Sequence, residues 1–283
     1  MDRRTKNVEI FKDSVELMNG SSRLQQAIKE SVNKQKLYLE AEEIVVPESK
    51  GLSCKTVVST KRSFEAASAY ARAGKRVAVL NFASSTNPGG GVTHGSSAQE
   101  ECLCRCSTLY HCLDTDMMWD KFYKPHRKAG DPLYNDDCLY TPGVTVFKSD
   151  IFFPERMEEK DWYQVDVITC AAPNLRDIPS NFMNPFAGNA PADIEEDGLY
   201  GLHLQRLERV FRVAAANGAE VLILGAFGCG AFCNPPAVVA RAFKKIQEKY
   251  ASYFETIEYA VFCGGHETQN YDAFCEVLGA KEI

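Results

Sequence analysis

No apolar run in the 283-residue chain reaches the ~20 residues that span a bilayer, so a helical membrane protein is excluded. The opening MDRRTKNVEIFK is charged and has no apolar h-region, so no secretory signal is expected. Positive charge is scarce: 32 basic residues face 38 acidic ones, a net charge of −6. That argues against bulk gripping of long nucleic acid, though not against a small anion, which needs only a local site. Gly-Lys-Ser/Thr does not follow any glycine loop, which excludes a P-loop, and the GxGxxG dinucleotide fingerprint is missing. The eleven cysteines contain no clear Cys-x₂-Cys pair. Cys102, Cys104, Cys106 and Cys112 would spread over different faces of a helix. No metal and no cofactor is therefore expected. In a large chain with an odd cysteine count and no export signal, the thiols read as reduced and packed as small hydrophobes. A composition 45% apolar and 25% charged is that of an ordinary folded domain, not a disordered one.

What is present is an alternation of helices and buried strands. Val8, Phe11, Val15 and Met18 recur at helical spacing before Gly20, and a second helix is expected from Ser22 towards Leu39. These first 50 residues hold nine basic and nine acidic residues and contribute no net charge. They read as a helical extension, residues 1–50, joined to a domain over residues 51–283. Strands are expected at 56–59, 77–82, 165–172, 221–224 and 260–262, with one or two short ones in 136–148. Helices are expected at 64–72, 103–113, around Leu204, Leu207, Phe211 and Ala214, from Pro235 with Asn234 as N-cap, and at 271–278. Residues 173–197, rich in Pro, Asn and Gly, read as a long loop, of a length that is usually functional or mobile. The pattern predicts a layered α/β/α fold.

One local scheme occurs twice: a helix ends at glycine, a buried strand follows, and the strand opens into a glycine-rich loop. The first loop is Asn87-Pro88-Gly89-Gly90-Gly91 and the second Gly228-Cys229-Gly230-Ala231-Phe232. Glycine lets backbone approach a ligand closely, and successive N–H groups can form an anion-binding concavity. The second loop also leads into a helix N-terminus, whose dipole favours phosphate. Gln99-Glu100-Glu101 opens a helix a short spacer after Gly91, where acidic residues complement the dipole.

Together NPGGGVTHGSSAQEECLCRCSTLY, YTPGVTVFKSD, DVITCAAPN and LGAFGCGAFCNPP resemble the poly(ADP-ribose) glycohydrolases, the microbial-type branch of the catalytic macrodomain superfamily, over most of the chain. The resemblance implies a macrodomain-like fold with a mixed central sheet and a cleft that binds ADP-ribose. The diphosphate would lie between Gly89, Gly90 and Gly91 on one side and Gly228, Cys229, Gly230, Ala231 and Phe232 on the other. Phe232 would orient the distal ribose. Asn81 and Asn87 would meet ribose hydroxyls, and Gln99 belongs to the same motif. Glu101 would be the acid/base catalyst, protonating the leaving ribose oxygen and then deprotonating water through an oxocarbenium-like transition state. Glu100 would position the ribose or the leaving group by hydrogen bonding. A helix N-terminus lowers a glutamate pKa, whereas burial and a bound diphosphate raise it; the raising effects are expected to win.

Two rival functions stay open at this point: removal of single ADP-ribose units from protein or nucleic acid, and non-catalytic reading of ADP-ribose. The intact Glu100-Glu101 pair favours an enzyme. The expected partners are ADP-ribose or poly(ADP-ribose), possibly attached to protein, with no membrane and no bulk nucleic acid. A monomer in the cytoplasm, or in the nucleus of a eukaryote, is expected. The basic stretch 121–128 reads as a solvated face, Trp119 and Tyr110 as packing residues, and His94 and His266 as surface-loop residues that could border the cleft.

Overall fold

The computed structural model describes residues 2–264 and 267–279, so His266 lies outside the described residues. In chain order the elements are α1 (Arg3–Gly20), α2 (Ser22–Lys34), β1 (Lys36–Tyr38), β2 (Lys55–Ser59), α3 (Ser63–Arg72), β3 (Val77–Phe82), α4 (Gln99–Cys106), α5 (Leu109–Leu113), α6 (Asp116–Met118) and α7 (Lys124–Ala129). There follow β4 (Cys138–Val146), β5 (Tyr163–Cys170), α8 (Glu196–Ala216), β6 (Val221–Leu224), α9 (Pro236–Tyr250), β7 (Thr256–Ala260) and α10 (Gln269–Leu278). The strands form one mixed sheet in the order β1-β4-β5-β3-β6-β7-β2. β4 pairs antiparallel with β1 and β5, and the remaining neighbours are parallel.

Period-two alternation puts half of each strand on each face. Ala78 and Leu80 of β3 pack with Leu222, Ile257, Phe211 and Phe243, beneath α8, α9 and α10. Val77 and Val79 pack with Phe64, Leu103, Leu109 and Phe11, beneath α3, α4, α5 and α1. The expected α/β/α macrodomain-like layering is what the chain adopts, with helices at its N-terminus.

Four local expectations are corrected. Residues 36–38 form strand β1 and not the end of a helix, because Gln35 leaves α2 to donate to Cys112 O (2.8 Å) and Thr141 Oγ1 (3.0 Å), laying the next residues along β4. The expected 103–113 helix is broken at Ser107 and Thr108, where Thr108 N donates to Thr145 O (3.0 Å). The last strand is Thr256–Ala260, so Phe262 lies beyond it. Asn234 is not the cap of α9, which starts at Pro236 with Pro235 in the cap position.

Candidate functional site

β3, β6 and β7 run parallel and end at the same sheet edge, the usual place for a ligand in an α/β sheet. The segments leaving them, together with the first turn of α4, enclose a cleft of about 650 Å³ that both glycine loops line. Glu100 and Glu101 project into it from α4.

Glu100 is 2% exposed. Its Oε1 accepts from Asn81 Nδ2 (3.1 Å) and its Oε2 from Ser84 N (2.7 Å). Burial pushes its carboxyl up to about 8, against the pull of the Ser84 amide and with the Glu101 charge adding to the rise. Glu101 has Oε1 held by Gly91 N (2.9 Å), while Oε2 is buried with no partner among the described residues. Burial raises this carboxyl too, opposed by the Gly91 amide and the Arg105 charge. Burial therefore outweighs the helix N-terminus at both glutamates.

The first loop serves these carboxylates. Gly89 and Gly90 sit at φ +63° and +57°, and a Cβ on Gly90 would stand 2.6 Å from Glu101 Oε1. Its amides were expected to face a diphosphate. Instead Gly90 N donates to Asn87 O (3.1 Å), Gly91 N donates to Glu101, and the Gly89 amide draws Glu100 down. Two of these three donors thus meet the protein's own carboxylates. Gln99, expected at the ligand, is likewise turned to protein. Its Oε1 accepts from Phe82 N (2.9 Å), and its Nε2 donates to Leu80 O (2.7 Å) and Ser63 Oγ (3.0 Å).

Asn81 is buried between Glu100 and Thr169 Oγ1, and its Oδ1 has no partner among the described residues. Asn87 donates to Met183 O (2.9 Å) and accepts from Arg127. Arg127 also donates to Thr86 O (2.7 Å), and its guanidinium lies over the rings of Trp119 (4.7 Å) and Phe186 (5.4 Å). The stretch 121–128 is thus not simply a solvated face, since one of its cations braces the first loop.

The second loop is open outward. Gly228 has φ +76°, and a Cβ there would meet Ala172 Cβ at 2.5 Å. Asn234 Nδ2 ties the loop down through Pro173 O (2.7 Å), Gly228 O (3.1 Å) and Phe232 O (3.2 Å), while its Oδ1 faces His203 Nε2 (2.9 Å). The amides of Gly230, Ala231 and Phe232 make no hydrogen bond among the described residues, and all three residues line the cleft. Cys229 does not line it: its amide donates to Ala226 O (3.0 Å), and burial pushes its thiol up to about 12.

Several lining residues escaped the sequence reading. Asn181, Met183 and Asn184 come from the segment read only as a long loop. Asn184 Oδ1 accepts from Thr86 Oγ1 (2.6 Å) and Ser84 Oγ (3.0 Å), which joins that segment to the first loop. Phe262, 50% exposed, stands under the Arg62 guanidinium at 3.8 Å. Its signal, an aromatic just after a buried strand, was absorbed into the strand. Among the described residues no three His, Cys, Asp or Glu side chains group as a metal set. No described helix is long and apolar enough to cross a membrane.

A family model described as microbial-type PARG, catalytic domain, matches residues 6–149. Among solved structures, the chain is similar to poly(ADP-ribose) glycohydrolase (PARG) from Thermomonospora curvata, with TM-score 0.81 and 28% identity over 97% of this chain and 100% of that one. The T. curvata protein bound to the inhibitor ADP-HPD gives TM-score 0.79 and 29% identity over 96% and 99%. PARG from Deinococcus radiodurans in complex with ADP-ribose gives TM-score 0.74 and 29% identity over 89% and 96%. A search of curated proteins returned no match.

Proposed function

The chain belongs to the microbial-type poly(ADP-ribose) glycohydrolase family, and from that premise we propose that it hydrolyses the ribose glycosidic bonds of poly(ADP-ribose) and releases ADP-ribose, with Glu101 as the acid/base catalyst. The carrying observation is the state of that side chain. One oxygen is fixed by Gly91, the other is buried with no partner among the described residues, and burial raises the carboxyl. A raised carboxyl retains the proton that the leaving ribose oxygen must receive; once ionised, it takes one from water. The bond broken joins ribose C1 to the leaving oxygen. Water supplies hydroxyl to the carbon and, through Glu101, a proton to the leaving group.

The rest of the cleft fits the substrate. The free amides of Gly230, Ala231 and Phe232 receive the diphosphate as neutral donors, so a net charge of −6 is no obstacle. Phe232 packs against the distal ribose and Phe262 offers its exposed face to the adenine. Glu100, held by Asn81 and Ser84, positions the ribose. Eleven free thiols fit a reducing cytoplasm.

The test offers automodified polymer and mono-modified protein to wild type and Glu101→Gln. Polymer hydrolysis falls by about 10²–10⁴-fold in the variant, the usual worth of a general acid, while ADP-ribose affinity persists. Undiminished release by Glu101→Gln defeats the assignment. Release from mono-modified protein alone makes the enzyme a remover of single units, and tight binding without release from either makes it a reader.

A further inference from the structure

We propose that Arg3 and Arg4, with Phe152 beside them, form a second binding subsite that takes the diphosphate and adenine of the ADP-ribose unit on the leaving side of the scissile bond. The inference rests on the polymer-cleaving reading above and deepens it.

Arg3 and Arg4 occupy the first turn of α1, which contains no acidic residue. Cations there oppose the helix dipole, and only the Asp2 cap, accepting from Arg4 N (2.9 Å) and Thr5 N (3.1 Å), offsets them. Neither guanidinium is ion-paired among the described residues, and both residues line the mouth of the cleft. Their place is fixed by α1. Asn7 Nδ2 donates to Gly95 O (3.0 Å), and Gly95, at φ +77°, lies so close that a Cβ would stand 2.2 Å from Arg4 O.

The position follows from a chain of contacts outward from the catalytic carboxylate. Glu101 is held by Gly91. Gly91 packs against Ser96 and Met183, which touch each other (Ser96 Oγ to Met183 Sδ, 2.8 Å). Arg4 Nη2 reaches the same sulfur at 3.9 Å. The free arginines are therefore one layer of side chains beyond the bond-cleaving group, whereas the amides assigned to the terminal diphosphate belong to the separate 228–232 loop. Arg3 lies over the ring of Phe152 at 4.5 Å, and that ring is 52% exposed. Unpaired arginine beside an exposed aromatic is the combination that holds a phosphate-linked chain of bases, because arginine binds phosphate through its fork of donors and any base can stack. Poly(ADP-ribose) carries a diphosphate and an adenine in every unit, and a single ADP-ribose group has none to offer across the bond.

The full chain is assayed on polymer and on ADP-ribose bearing a small phenol on its terminal ribose, a substrate with no second diphosphate. For the double variant Arg3→Ala/Arg4→Ala, the KM for polymer rises about tenfold and its salt dependence flattens, as loss of phosphate contacts requires. Turnover of the phenol substrate stays at the wild-type level. Arg3→Lys/Arg4→Lys recovers most of the polymer KM, and Phe152→Ala raises it alone. Equal losses on both substrates, or an unchanged polymer KM, overturn the proposal. Polymer left intact by the wild type defeats the activity reading itself, and is seen before any variant is compared.

Discussion

The chemistry of this protein depends on single side chains kept out of water. Glu100 is the plainest case, with a carboxyl at 4.5 in its ordinary state and about 8 when buried in the fold. Folding thus favours its protonated form. That contribution to stability is whole below pH 4.5 and is lost as pH rises through about 8. Glu100→Gln resembles the protonated carboxyl at every pH, although its amide meets the donors Asn81 Nδ2 and Ser84 N and costs some stability throughout. The melting temperature of the variant relative to wild type should therefore climb by several degrees between pH 5 and pH 9. A difference that stays flat with pH shows that Glu100 does not titrate in this way. At this scale the sequence was legible where residue type and spacing carry the chemistry, as in the triple glycine followed by Gln99-Glu100-Glu101. It placed Arg127 on a solvated face and was silent on Met183, because their roles come from contacts made 40 and 96 residues away along the chain.

The two glycine loops look alike as sequence and do different work as elements. Strand-glycine-helix patterning located both at one sheet edge. It could not show which way their amides point, since that depends on which anion lies behind each loop. Behind the first stand two carboxylates; behind the second stands Asn234, a donor, which pulls carbonyls inward and leaves amides facing out. Asn234→Ala removes that tether and frees three carbonyls. Its ADP-ribose dissociation constant should rise by about tenfold, the worth of one or two net hydrogen bonds, with kcat at saturation changed little. A fall in kcat at unchanged affinity places the effect at Glu101 instead. Helix limits were legible where a glycine follows, as at Gly218. They failed at Ser107, which bridges to Val146 while Thr108 N donates to Thr145 O, and at Asn234, which donates to Pro173 O; these tertiary contacts override local signals.

Across the whole molecule, the N-terminal 50 residues are woven into the core. They supply the edge strand β1, and α1 covers a charged group in the core: Lys148, 1% exposed, donates to Ile10 O (2.8 Å) and Ser14 Oγ (2.6 Å) and pairs with Asp13 (2.7 Å). A chain of residues 51–283 leaves that ammonium without partners, a loss of about 3–5 kcal/mol, and bares the edge of β4. Such a chain should unfold without a cooperative transition and collect in the insoluble fraction. A soluble, active 51–283 fragment proves the extension dispensable. The layered class was legible because buried strands and amphipathic helices alternate; β1 was not, because three residues carry too little pattern to read. The free thiols have a practical outcome. Of the eleven, Cys233 alone is exposed, next to Phe232 at the lip of the cleft. A maleimide dye attached there turns the protein into a fluorescence sensor that reports, in real time, when the cleft fills.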